Sequence, residues 1–268
     1  MAEPDAMART SMKRPLAAAL MLLTILASAV LCACASHPKV AAKKPTIRSI
    51  AIIPATDPSW FSFENVNAIV YAVPVTFFAN KLDSRHKAKL FNDRMKAQPP
   101  PLDSTLTEAV ATALRGYGFT VEIMDDVKRP PDDPDNIDYD NVPTHADAIL
   151  HLRIDEVGLY SSHTSTDYLP RVNISAKLFV KGLDDDVYEQ DLCYGVDARK
   201  GKEWAIVADP KFAYPSFEAV MTDMDAVRAA FLTGTREIGL KVSPKTLKKK
   251  VRTFSLKLIL SNIVGALF

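Results

Sequence analysis

Cysteine is scarce: 268 residues hold three, Cys32, Cys34 and Cys193. So few thiols exclude a disulfide-stapled scaffold and leave stability to a packed core. Glycine is also scarce, at nine, and no cluster of it forms a phosphate-cradling loop. Gly116-Tyr117-Gly118 reads instead as a helix stop. Excess charge is missing, with 33 basic and 32 acidic residues, so there is no global basicity to favour nucleic acid. Gly-x-Ser-x-Gly and His-Glu-x-x-His are absent, and no Ser-x-x-Lys leads a helix out of an apolar pocket. The expectation is a non-enzymatic chain with no catalytic residue, no cofactor and no metal.

A local absence is more telling. Residues 15–38 contain no Asp, Glu, Lys or Arg, and Lys13 and Arg14 stand directly before them. A basic start and an apolar run form the first two parts of a secretory signal. The uncharged stretch also has the length of a membrane anchor, since about 20 apolar residues cross a bilayer. Its end favours the signal: Leu31-Cys32-Ala33-Cys34 resembles the lipobox of bacterial lipoproteins. In that pattern a large aliphatic residue stands three before the cysteine and a small residue immediately before it. Cys32 does not fit, because bulky Leu31 precedes it.

The resemblance implies a signal peptide over residues 1–33 and a diacylglyceryl, acylated cysteine at Cys34. Several acyl chains, each worth roughly 0.8 kcal/mol per buried methylene, then anchor the chain to lipid. Ala35 is not the Asp that retains such proteins in the inner membrane of enteric relatives. The implied address is the outer membrane, facing the periplasm. Acylation of Cys34 leaves Cys193 as the one thiol of the mature chain and rules out an intramolecular disulfide.

Residues 34–46 read as a lipidated linker, carrying Lys39, Lys43, Lys44 and two prolines. Residues 47–54 read as a buried strand ended by proline. An apolar stretch over 65–80 and a polar helical stretch over 81–98 follow, making 55–102 an insertion with its own structure. Thr105-Leu106-Thr107-Glu108 fits a capping box, and Leu106, Val110, Ala113 and Leu114 share one face of the helix it opens. With a strand at 119–124 this is a β-α-β unit, whose first two strands are expected to be parallel.

An acidic, proline-rich loop spans 125–143. Beyond it Ala148, Leu150, Leu152 and Ile154 alternate with His151, Arg153 and Asp155. Likewise Val172, Ile174, Ala176, Leu178 and Val180 alternate with Asn173, Ser175 and Lys177. These half-buried strands, with a third at 187–196, give an antiparallel meander. A helix over 223–240 presents Met224, Val227, Phe231 and Ile238 at helical spacing. The fold class is therefore α/β or α+β: one mixed sheet with a β-α-β start, a meander and C-terminal helices. The domain spans 47–242.

Residues 243–268 read as a basic amphipathic helix opened by Ser243-Pro244. No acid occurs after Glu237, while residues 34–237 carry a net charge of minus seven. Lys248, Lys249, Lys250 and Arg252 suit an anionic membrane surface or an acidic partner; a basic face left in solvent is the alternative. Asp125, Asp126, Asp132, Asp133, Asp135, Asp138 and Asp140 read as a solvated loop, since the spacing lacks the glycine and terminal Glu of a calcium loop. His86, His145, His151 and His163 read as solvated, and Cys193 as a structural thiol.

The strand ending Ile52-Ile53-Pro54, the helix at 102–118, the strand entry Ala146-Asp147-Ala148-Ile149-Leu150 and the meander resemble small α/β domains of the bacterial envelope. Those of the curli-secretion lipoprotein, the penicillin-binding-protein activators and the Tol amino-terminal domain are the models for this. The resemblance covers about 46–242 and implies architecture more than activity. The long insertion and basic tail depart from it, so no partner is carried over; the expected function is a binding or scaffold role for another envelope component. An oligomeric secretion or export component is the alternative. An envelope hydrolase is a third, requiring Cys193, a histidine and a carboxylate in one pocket.

Overall fold

The computed structural model describes residues 47–66, 77–130, 132–161, 165–181, 188–195 and 204–242. Cys34, the linker, His163 and the basic stretch 243–268 lie outside the described residues.

Seven strands form one mixed sheet in the order β3-β1-β4-β5-β6-β7, with β2 also paired to β4. The strands are β1 (Ser49–Ile53), β2 (Ser62–Glu64), β3 (Thr120–Ile123), β4 (Ala148–Ser161), β5 (Tyr168–Phe179), β6 (Tyr188–Gly195) and β7 (Ala205–Ile206). Helices α1 (Phe77–Ala97), α2 (Leu102–Gly116), α3 (Phe217–Thr222) and α4 (Met224–Lys241) complete the α+β architecture. β1 pairs with β3 in parallel, Ser49 opposite Thr120, as a β-α-β unit requires. β4, β5 and β6 are the antiparallel meander.

β4 is long because it receives two short parallel partners in succession. β1 lies along Ala148 to His151 and β2 along Gly158 to Tyr160. The alternation read from the sequence ends at Asp155 because the register shifts between Ile154 and Glu156. One extra residue in a bulge exchanges the two faces, so Val157 and Leu159, rather than even-numbered residues, continue the core. β2 shows that the insertion also contributes to the sheet. Polar α1 attaches chiefly through Phe91 and Met95, both fully buried, and through buried Asn92, whose Oδ1 accepts from the Phe61 N–H at 3.0 Å.

The capping box at Thr105 is not formed. Helix α2 starts earlier, at Leu102, with Pro101 at the N-cap position and no side-chain cap there. Thr105 therefore lies in the first turn, its hydroxyl donating to the Pro101 carbonyl at 2.6 Å. A carboxylate from the insertion supplies the missing acceptor: the Asp103 N–H donates to Asp57 Oδ1 at 3.1 Å. Leu106, Val110 and Leu114 are fully buried, while Ala113 is half-buried. The stop is as expected, with Gly118 at φ +87°, a region glycine enters freely.

Helices α2 and α4 pack side by side over one face of the sheet. Their approach depends on Gly239, where a Cβ would stand 2.6 Å from that of Ala109. Phe231 stacks on Phe61 at 6.2 Å within the large core on this face. The opposite face carries a second, smaller core of Ala51, Ile53, Ile137, Val142 and Ile149. Two of these belong to the acidic loop, so that loop is not simply solvated. It folds back over the sheet and buries its apolar residues there.

Candidate functional site

The partly covered face of the sheet holds a concavity of about 280 Å³, lined by Asp135, Asn136, Ile137, Tyr139, His151, Arg153, Ser175, Lys177 and Phe179. Register builds its floor. His151 lies opposite Lys177 and Arg153 opposite Ser175 across β4 and β5, so four polar side chains share one face two by two. The returning loop builds its wall, with Tyr139 stacked on Phe179 at 3.5 Å between centroids.

His151, expected to be solvated, is 5% exposed. Its Nδ1 shares a hydrogen bond of 2.8 Å with the Tyr139 hydroxyl, while its Nε2 has no hydrogen-bond partner. Opposite, at 3.9 Å, stands Asp135 Oδ1, likewise buried without a donor. That gap is too long for a direct hydrogen bond. Burial, then the positive charges of Arg129, Arg153 and Lys177, hold the His151 pKa down at about 4, so the imidazole is neutral near pH 7. Burial pushes the Asp135 carboxyl up, against the pull of Arg153 and Arg129.

The cations around the site are already engaged. Arg153 pairs with Asp155, and Lys177 pairs with Glu189 at 2.9 Å. Arg129 donates to the carbonyls of Pro54 and Pro134. The arrangement is a polar cleft with aromatic cover, in which a neutral imidazole nitrogen and a carboxyl oxygen face each other across a gap.

Cys193 is buried in β6 and does not line this cleft. It pairs with Asn173, whereas Lys177 beside His151 pairs with Glu189. Four residues of strand separate those positions, about 13 Å at the usual rise. Cys193 and His151 are therefore not brought together in one pocket, as the hydrolase alternative would require of a cysteine and this histidine. His86 and His145 are exposed, as are Asp125, Asp126, Asp132, Asp133, Asp138 and Asp140. Among the described residues no three His, Cys, Asp or Glu side chains converge as metal ligands. Sequence reasoning missed Tyr139 and the involvement of Asp135. The alternation that put His151, Arg153, Ser175 and Lys177 on the non-core face was the available signal.

The described residues thus define an α+β domain with an open cleft on the less covered face of its sheet. No protein-family model matches the chain, and no curated protein matches its sequence. Solved structures similar to it include protein XCC0632 from Xanthomonas campestris, at 13% identity and a TM-score of 0.38, covering 82% of this chain and 93% of that one. The PelC dodecamer from Paraburkholderia phytofirmans is similar at 11% identity and a TM-score of 0.29, covering 74% and 88%. Lipoprotein GNA1162 from Neisseria meningitidis follows at 12% identity and a TM-score of 0.25, covering 57% and 88%. Likeness at these values assigns no activity to the chain.

Proposed function

We propose that this chain is a lipid-anchored protein of the outer membrane, facing the periplasm, whose α+β domain binds or scaffolds another envelope component without catalysing a reaction. The lipobox carries the address. Leu31-Cys32-Ala33-Cys34 closes an uncharged run behind Lys13 and Arg14, supplying a small residue for peptidase cleavage and a thiol for the lipid. The cleft supports the binding role, because buried hydrogen-bonding atoms with no partner cost stability unless something supplies one.

Metabolic labelling with an alkyne fatty acid, on bacteria expressing the full chain, tests the anchor. Label should enter the wild type and Cys32→Ser and be lost from Cys34→Ser. Label retained in Cys34→Ser overturns the assignment. The same reading directs Lys248, Lys249, Lys250 and Arg252 to an anionic membrane surface or an acidic partner. Flotation on liposomes containing phosphatidylglycerol, with and without residues 243–268, tests the membrane arm; equal binding by both chains refutes it.

A further inference from the structure

We propose that the cleft over β4 and β5 is a binding site for one ring of a neutral sugar, a hydroxyl of which bridges His151 Nε2 and Asp135 Oδ1. This rests on the binding role proposed above and names its ligand class. The two atoms are 3.9 Å apart, so one oxygen reaches both at ordinary hydrogen-bond lengths of about 2.8 Å. A hydroxyl suits them because it donates and accepts. With Tyr139 donating to Nδ1, the Nε2–H donates to the ligand oxygen, whose own hydrogen goes to Asp135. His151 is more than nine-tenths buried and lines the cleft, so its orientation is held before any ligand arrives.

Charge selects against ions. An anion would meet the Asp135 carboxylate, whose Oδ1 is buried, and Arg153 and Lys177 already hold Asp155 and Glu189. A cation would meet Arg129, Arg153 and Lys177, the groups whose field acts on His151. A neutral polyol leaves every ion pair intact. The lining matches the two-sided character of a sugar ring, with Ser175 and Asn136 offered to hydroxyls and Ile137, Tyr139 and Phe179 to the C–H face. At about 280 Å³ the space falls just below the range of drug-sized ligand pockets, which begins near 300 Å³, and it suits one ring.

Saturation-transfer NMR on the full chain in an amine-oxide detergent, which brings no sugar of its own, tests this. Glucose, N-acetylglucosamine and maltotriose are the probes, with inorganic phosphate and putrescine competing against them. Transfer is expected to at least one sugar and to a single ring of maltotriose. Binding should weaken at least about tenfold in Asp135→Ala, the cost of one hydrogen bond to a carboxylate. Ser175→Ala, a smaller change in a lining residue, should weaken it while leaving the thermal midpoint in place.

Transfer that persists in both variants overturns the site. Phosphate or putrescine protecting the cleft while no sugar does overturns the ligand class but keeps the binding role. No probe binding at all overturns the sugar site, and capture of an envelope partner by crosslinking in cells tests the broader role separately.

Discussion

Replacing His151 with Phe isolates the energetics of the cleft. In the folded chain the imidazole titrates at about 4, against 6.5 for an unhindered histidine. Between those values the unfolded chain binds a proton that the folded chain refuses, so stability rises with pH. The contribution of His151 is complete above pH 6.5 and is lost as pH falls toward 4. Below pH 4 both states are protonated and no more is lost. Each pH unit inside the window costs about 1.4 kcal/mol, so the full effect is about 3 kcal/mol, a large share of the 5–15 kcal/mol typical of a domain. Urea denaturation of the full chain at pH 4, 5, 6 and 7.5, followed by tryptophan fluorescence, measures it. The difference between wild type and His151→Phe should change by about 3 kcal/mol across that range, in favour of the variant at the acid end. The groups facing the imidazole, Asp135, Arg129, Arg153, Lys177 and Tyr139, remain in both proteins. Parallel pH profiles would show that His151 is not held neutral by burial and would refute the reasoning.

Asp147→Ala should destabilise by about 1–2 kcal/mol in urea titration, because Asp147 Oδ2 accepts from the N–H groups of Arg48 and Ser49 at 2.8 and 2.9 Å. Those bonds hold its carboxyl below the ordinary 3.8; its stabilisation is present above that pH and fades below it, so the variant should lose the corresponding part of the acid limb. Gly234→Val should cost about 1–3 kcal/mol, since a Cβ there would stand 2.5 Å from Tyr194 Cδ1, and a thermal melt reads the loss. Phe231→Ala should cost about 3–5 kcal/mol, as the ring is fully buried, again read as a lowered urea midpoint.

The sheet was legible where apolar period and burial agree. Leu150, Leu152, Val172, Ile174 and Leu178 alternate in sequence and all face the helices. Asp223, preceding a periodic stretch, caps α4 by accepting from the Ala226 N–H at 3.0 Å. Local patterns failed where a distant partner decides. The start of α2 depends on Asp57, 46 residues away, and Thr105 alone pointed to the wrong residue. β2 and β7, with three and two residues, are too short to show a period and exist through their pairing to β4 and β6. The cleft needed two facts that alternation does not carry: the register that sets His151 beside Lys177, and the return of the acidic loop over the open face. A run of aspartates and prolines advertises solvent, yet Ile137, Tyr139 and Val142 within it supply the apolar contacts that bring Asp135 to His151.

The two faces of the sheet divide stability from recognition. On the helix face, Gly239 against Ala109 and Gly234 against Tyr194 leave no room for an added methyl group, and close packing of that kind admits no ligand. On the other face a loop rather than a helix provides the cover. A loop carries polar side chains inward at less cost, because its neighbours remain near solvent. Asp135 and His151 thus lie deep enough for their hydrogen bonds to count and shallow enough to be reached. Changes to the cleft lining should therefore alter binding with modest loss of stability, whereas changes under α4 should unfold the domain and leave the chemistry of the cleft untouched until it does.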